Sequence, residues 1–178
     1  GAPPGSILAI TFTTKSAAEM SERVEALVGP RAKSMWVATF HSACVRILRR
    51  EADRFGFTQS FSIYDTTDSR RLMTAVVKDL GIEGQQFTPR ALLSAVSRLK
   101  DQLIDHEEAA RMASNRSEQV HAEAYAAYQQ RLRAANAMDF DDLIMNTVHL
   151  FQAWPEVREF YRRRFQHVLV DEYQDTNH

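Results

Sequence analysis

Residues 167–172 read His-Val-Leu-Val-Asp-Glu, a short apolar run that ends abruptly in two carboxylates. Such a run, bounded on both sides by polar residues, reads as a buried strand. In open α/β sheets, ligands collect at the carboxyl ends of the strands. Asp171 and Glu172 therefore stand where chemistry is usually placed. A first carboxylate there suits Mg²⁺, which takes hard oxygen ligands and keeps several of its waters. A second suits the orientation or deprotonation of a water attacking a terminal phosphate. The plain alternative is an Asp-Glu pair that merely opens a loop or helix.

The N-terminal third supplies the rest of a parallel sheet. Residues 7–12 (ILAITF) form an apolar, β-branched run. A helix is expected after it, with Ser16 and Glu19 at capping-box spacing. Its apolar stripe is Met20, Val24, Leu27 and Val28, and Gly29-Pro30 stops it. Residues 35–40 (MWVATF) read as a second strand. His41 or Ser42 then opens a helix with Cys44, Val45, Leu48 and Ala52 on one stripe, closed by Gly56. Strand, helix, strand, helix with short connections is the pattern of a parallel α/β sheet.

The middle changes character. Asp65 and Thr66 start a helix to Leu80, which Gly81 ends. Thr88-Pro89 pairs an N-cap with proline at the first helical position, and Leu92, Val96, Leu99 and Leu103 follow at helical spacing. Ser117 to Ala135 carries Val120, Ala124, Tyr128 and Leu132. Apart from Phe61 to Tyr64, residues 57–135 read as helices without strands. The α/β frame resumes after Asn136. Asp139 caps a helix to about Ala153, Pro155 opens another to Phe165, and residues 167–170 form the third buried strand. The expected organisation is 1–56, then an inserted helical block 57–135, then a return over 136–178.

Composition narrows the function classes. The chain has 178 residues, 44% of them hydrophobic and 25% charged, with a net charge of −1. That is an ordinary globular profile, neither collagenous nor wholly disordered. No apolar run is long enough to span a bilayer, and the first residues lack the basic start of a signal peptide. One cysteine, Cys44, cannot close an internal disulfide, which fits a reducing cytoplasm. The Gly1 start, and an end just past a strand, read as a piece of a longer protein. Charge is uneven: residues 1–52 carry seven Lys/Arg against four Asp/Glu, and residues 136–178 carry four against eight. A basic surface near the first strands and an acidic pocket near the last fit a polyanion and a metal.

Three further constellations stand out. Thr11-Phe12-Thr13-Thr14-Lys15-Ser16 lies at a strand end that opens a helix, where free N–H groups, hydroxyls and a lysine favour phosphate. Phe12 offers a ring for base stacking, or alternatively packs in the core. Thr39-Phe40-His41-Ser42 repeats that arrangement, followed by Arg46, Arg49 and Arg50. His41 suits a cap or phosphate contact, since no second ligand lies at metal spacing. Asp139-Phe140-Asp141-Asp142 puts three acids in one turn; a metal is conceivable, but Asp139 is an evident N-cap, and acids there suit the helix dipole. Arg162-Arg163-Arg164 reads as a solvated helix face.

Taken in order, these motifs resemble the UvrD/PcrA/Rep branch of superfamily 1 DNA helicases. TFTTKSAAEM (11–20) looks like that family's motif Ia, TFHSACVRILRR (39–50) like motif Ib and DFDDLI (139–144) like motif Ic. VDEYQDTN (170–177) matches motif II, the Walker B element. The resemblance implies a partial RecA-like P-loop NTPase domain (1A) with an inserted all-helical subdomain 1B over 57–135. It implies a parent enzyme that uses ATP and Mg²⁺ to move along single-stranded DNA, commonly 3′ to 5′, and to unwind duplex at junctions in repair or replication. Asp171 would hold Mg²⁺, Glu172 would activate water, and Gln174 and Asp175 would link the nucleotide site to its neighbours. Phe12, Thr13, Thr14, Lys15, Thr39 and His41 would face the DNA strand, with Asp139-Phe140 bordering the same channel. Thr14 stands where the family usually has Asn, and Ser16 where Ala is usual.

No G-x-x-x-x-G-K-[S/T] loop occurs in the chain. The chain by itself is therefore expected to bind no ATP or Mg²⁺, to hydrolyse no ATP and to unwind no DNA. Two other readings stay open: a non-catalytic module that binds DNA or protein, and a subunit of a helicase–nuclease.

Overall fold

The structure, a computed structural model, describes residues 2–11 and 13–170. Asp171, Glu172, Gln174 and Asp175 lie outside the described residues, as does Phe12. The chain is mostly helical with a small parallel sheet. Among the described residues the order is β1 (Ile7–Thr11), α1 (Thr14–Val28), β2 (Trp36–Thr39), α2 (Phe40–Arg50), β3 (Ser62–Tyr64), α3 (Thr66–Leu80), α4 (Pro89–Asp101), α5 (His106–Met112), α6 (Arg116–Ala134), β4 (Ala137–Asp139), α7 (Phe140–Ala153), α8 (Pro155–Arg164) and β5 (His167–Val170). They divide into two compact units, residues 1–48 with 146–178, and residues 49–145.

The first unit holds a three-stranded parallel sheet in the order β2-β1-β5. Leu8 faces Trp36 and Thr11 faces Thr39 on one side of β1, while Ile7 faces His167 and Ile10 faces Val170 on the other. The core of this unit gathers around Trp36, which is buried. The ring meets Phe165 edge-on at 4.9 Å and Tyr161 at 6.4 Å. Two guanidinium groups pack over the same ring, Arg46 at 3.7 Å and Arg164 at 4.9 Å.

Several expectations for this unit need correction. The cap of α1 is Thr13, whose hydroxyl accepts the Ser16 N–H at 3.0 Å; Ser16 and Glu19 do not form the box. Thr13 wins because the strand ends at Thr11 and leaves it extended, with φ −126° and ψ 155°. None of α1's stripe is buried, and Leu27 is 85% exposed. Residues 167–170 are a strand, as the pattern indicates, but an exposed one: Val168, Leu169 and Val170 each keep about half their surface, 53%, 53% and 51%. Among the described residues β5 pairs only with β1, which makes it an edge. Period counting finds apolar runs; it does not say what covers them. Arg164 packs on Trp36, so only Arg162 and Arg163 of the basic run remain on the helix face, where both reach Glu159.

The second unit is a helical cluster on a two-stranded parallel sheet. Its core joins Met73 and Val76 of α3, Leu92 and Val96 of α4, and Tyr125, Tyr128 and Leu132 of α6. Asp65 caps α3 in a reciprocal box with Asp68, and Gly81 ends the helix at φ +64°, a conformation that favours glycine. Thr88 and Pro89 open α4 as the pattern indicates. Two elements have no clear sequence signal: the seven-residue α5 and the three-residue β4, which pairs with β3 through Ser62–Ala137, Ile63–Met138 and Tyr64–Asp139. Strands this short show no period. The turn into β4 is held by Asn136 at φ +51°. Its side chain accepts the Thr58 N–H at 3.0 Å and donates to the Thr58 hydroxyl at 2.7 Å. Among the described residues no helix is long and apolar enough to cross a membrane.

Candidate nucleic-acid interface

Two strand ends of the first unit are built alike. The side chain of Thr11, at the end of β1, is buried and donates to the Thr13 carbonyl at 3.1 Å. Thr13 caps α1, and its hydroxyl also donates to the Ser16 hydroxyl at 2.9 Å. At the end of β2, Thr39 accepts the Ser42 N–H at 3.1 Å and donates to the Ser42 hydroxyl at 2.8 Å. A Thr-x-x-Ser cap thus follows each strand. Because Thr11 and Thr39 are register partners, the two helix starts emerge side by side from one edge of the sheet. β5 is parallel to both, so its carboxyl end at Val170 lies at that edge too.

Thr13, Thr14, Lys15 and His41 are exposed there, and Thr39 is half-buried. N–H groups at two helix starts, hydroxyls and a lysine can all donate toward an anion, and the helix dipoles add partial positive charge. Phe40, 47% exposed between Thr39 and His41, is a ring that the sequence-based candidate set omits. Its signal was available: a large aromatic at a strand–helix junction.

The arginines of α2 are not a uniform basic surface. Arg46 is committed to Trp36. Arg49 donates to the carbonyls of Gln59 and Phe61, at 2.6 and 3.0 Å, and lies over the Phe61 ring. Cys44 is buried, and burial pushes its thiol above the ordinary range, which suits a packing residue rather than a nucleophile.

Asp139 and Phe140 belong to the second unit. Asp139 is buried (7% exposed) while Phe140, the next residue, is 46% exposed. Asp139 Oδ1 accepts the Asp142 N–H at 2.8 Å, and Asp142 Oδ2 accepts the Asp139 N–H at 3.1 Å. This reciprocal box starts α7. The two carboxylates share one cation: Lys100 Nζ, from α4, lies 2.8 Å from Asp139 Oδ2 and 2.9 Å from Asp142 Oδ1. Tyr128 donates to Asp139 Oδ2 at 2.8 Å, and Gln129 donates to Asp142 Oδ1 at 3.3 Å.

The electrostatics follow from burial. Burial pushes the Asp142 carboxyl up to about 6, against the pull of Lys100. Burial would raise Asp139 as well, but Lys100 and the hydrogen bonds it receives hold it below the usual carboxylate range. Burial opposes the Lys100 charge, and the two carboxylates more than offset it, so the ammonium stays protonated. Burial, with the acids nearby, drives the Tyr128 hydroxyl upward. Beside the network, a cavity of about 300 Å³ is lined by Arg70, Arg90, Ser94, Ser97, Phe140 and Asp141.

Asp142 and Asp139 are thus spent on an internal ion pair. Among the described residues no group of three His, Cys, Asp or Glu is placed to hold a metal.

The model of the UvrD/REP helicase N-terminal domain matches residues 1–178, the whole chain. The chain belongs to the UvrD/REP helicase family. It is 56% identical over 182 residues to the ATP-dependent DNA helicase UvrD1 of Mycobacterium tuberculosis, covering 100% of this chain and 24% of that protein. It is 49% identical over 174 residues to the ATP-dependent DNA helicase PcrA of Bacillus subtilis, covering 98% of this chain and 24% of that protein. PcrA of Staphylococcus aureus is 48% identical, with 98% and 24% covered. The UvrD/REP-type chain therefore spans about a quarter of the length of the curated relatives it matches.

Proposed function

We propose that this chain forms part of the motor of an ATP-dependent DNA helicase that moves 3′ to 5′ on single-stranded DNA and opens duplex at junctions. Segments 1–56 and 136–178 are read as parts of a RecA-like domain 1A, and 57–135 as a helical subdomain 1B inserted in it. The observation that carries the reading is the shared sheet edge at Thr11 and Thr39, where two capped helix starts present Thr13, Thr14, Lys15 and His41 to solvent. Sequence-independent single-strand binding needs such donors along the backbone and aromatic rings for the bases. Phe12 and Phe140 are assigned the rings. Asp139 acts through the turn that carries Phe140, and Thr39 through the cap beside His41.

Asp171 is assigned to Mg²⁺, whose preference for hard oxygen donors a carboxylate meets. Glu172 is assigned to the attacking water, and Gln174 and Asp175 to coupling. When bound, ATP and Mg²⁺ supply the phosphoryl group and the charge neutralisation. With no phosphate-cradling Gly-Lys loop in its sequence, the chain alone binds DNA without hydrolysing ATP.

The test is fluorescence anisotropy of the chain with a labelled oligothymidylate over a salt series. Binding that weakens with salt is expected, and Lys15→Ala should flatten the log–log slope by about 0.7 for one lost phosphate contact. An unchanged slope removes Lys15 from the interface; absence of any binding removes the reading for the isolated chain. DNA-stimulated ATP hydrolysis by the chain alone would overturn the statement about inactivity.

A further inference from the structure

We infer that Lys100 is a positioning residue for the DNA interface, holding Asp139 and Asp142 together so that the first turn of α7 presents Phe140. The inference rests on the assignment of Phe140 to a DNA base.

Lysine is almost never fully buried unless paired, and Lys100 is 2% exposed. It comes from α4, 39 residues before Asp139, so it is a long-range tie rather than a local one. The atoms it bridges are the two side chains of one capping box, and Phe140 is the first helical residue inside that box. The box at Asp65 and Asp68 shows what such a motif needs by itself: it caps α3 with the same two reciprocal bonds, is solvent-exposed, and no lysine bridges it. The cation at Asp139 and Asp142 is therefore not required for capping. What differs is burial. Two carboxylates forced together out of water repel unless a cation lies between them. Without Lys100 the two acids must take up a proton or move apart, and either change falls on Asp139, just before Phe140, and on Asp142, two residues after it. Tyr128 adds a tie from α6 to Asp139 alone, as a second donor on Oδ2. Two helices thus clamp a turn whose only large exposed side chain is the ring.

Four variants test this with a labelled oligothymidylate, at a temperature where circular dichroism shows each folded. Phe140→Ala should weaken binding roughly tenfold, the order of one lost base–aromatic stack. Lys100→Met should weaken it to a similar extent. Adding Phe140→Ala to Lys100→Met should weaken it no further, because both act through one ring. Lys100→Met with Asp142→Asn removes one charge of each sign and should restore affinity to within about twofold, because no unpaired buried charge is then left to displace the turn. If Lys100→Met fails to fold, Tyr128→Phe takes its place, with a smaller loss that also vanishes in the Phe140→Ala background. Losses that multiply, a folded Lys100→Met that binds like the parent, or failure of the Asn rescue each overturn the inference. If Phe140→Ala itself binds normally while Lys15→Ala does not, the assignment of Phe140 fails first and takes the Lys100 role with it.

Discussion

Thr11 and Thr39 are register partners on adjacent parallel strands, and each leads into a helix capped by a Thr-x-x-Ser turn. The pairing sets the spacing between the starts of α1 and α2. It costs no special residue, since threonine suits a strand, bonds locally and caps a helix.

These caps can be weighed directly. Thr13→Ala and Thr39→Ala should each lower stability by about 1 kcal/mol. The two losses should add to within about 0.5 kcal/mol, since they share no partner. Both tryptophans, Trp36 and Trp154, belong to the first unit. Urea unfolding followed by tryptophan fluorescence therefore places its probes in that unit. A loss below 0.3 kcal/mol for either variant would show that the cap hydroxyl is replaced by water at no cost.

Asn136 separates strain from hydrogen bonding. Alanine there keeps a side chain at φ +51° and loses both bonds to Thr58, so Asn136→Ala should cost about 2 kcal/mol. Glycine loses the same bonds without strain and should cost about half as much. Unfolding of the two variants, followed by tyrosine fluorescence and circular dichroism, gives the comparison. Equal losses would assign the whole effect to the Thr58 bonds.

The buried acid pair gives the second unit an unusual response to pH. The folded Asp142 carboxyl sits at about 6, above its ordinary 3.8. Between those values the folded state holds a proton that the unfolded chain lacks. Its contribution to stability therefore grows as pH falls from 7 through 6 and is complete below about 4. Asp139 runs the other way: its folded value is lowered, so its contribution is present above 3.8 and lost as pH falls through the folded value. Relative to Asp142→Asn, the parent chain should gain stability from pH 7 to pH 5. A difference from Asp142→Asn that stays flat or falls over that range would mean that Asp142 is fully charged in the folded state.

The exposed strand β5 should make the chain associate. An uncovered apolar edge is a template for further strand pairing, and Val168, Leu169 and Val170 are each about half exposed. Sedimentation should show concentration-dependent association that Leu169→Lys reduces without loss of circular dichroism. Association unchanged by that variant would place the contact elsewhere; the exposed Leu27 of α1 is the next surface to test.

Much of this was legible from residues alone. The helix bounds at Asp65–Gly81, Thr88–Pro89 and Pro155 are local, because caps, prolines and left-handed glycines act within one turn. The family was legible too, because its motifs are contiguous runs such as TFTTKSAAEM, TFHSACVRILRR and DFDDLI. β4 and α5 were not, since three and seven residues carry too little period to be seen. Nor was the exposure of β5 and α1: an apolar pattern says that a face favours cover, while the neighbours decide whether it has any.

The two Asp-x-x-Asp boxes mark the division most sharply. Asp65-Thr-Thr-Asp68 and Asp139-Phe-Asp-Asp142 are one signal in the sequence, and both cap a helix as that signal dictates. Local chemistry determined that much, because the bonds close within four residues. Tertiary structure alone decided that one box stays in water while the other is buried against α4 and α6, with Lys100 between its carboxylates. The pairing spans 39 residues, and the energy of a charge depends on what surrounds it, which no stretch of chain specifies by itself.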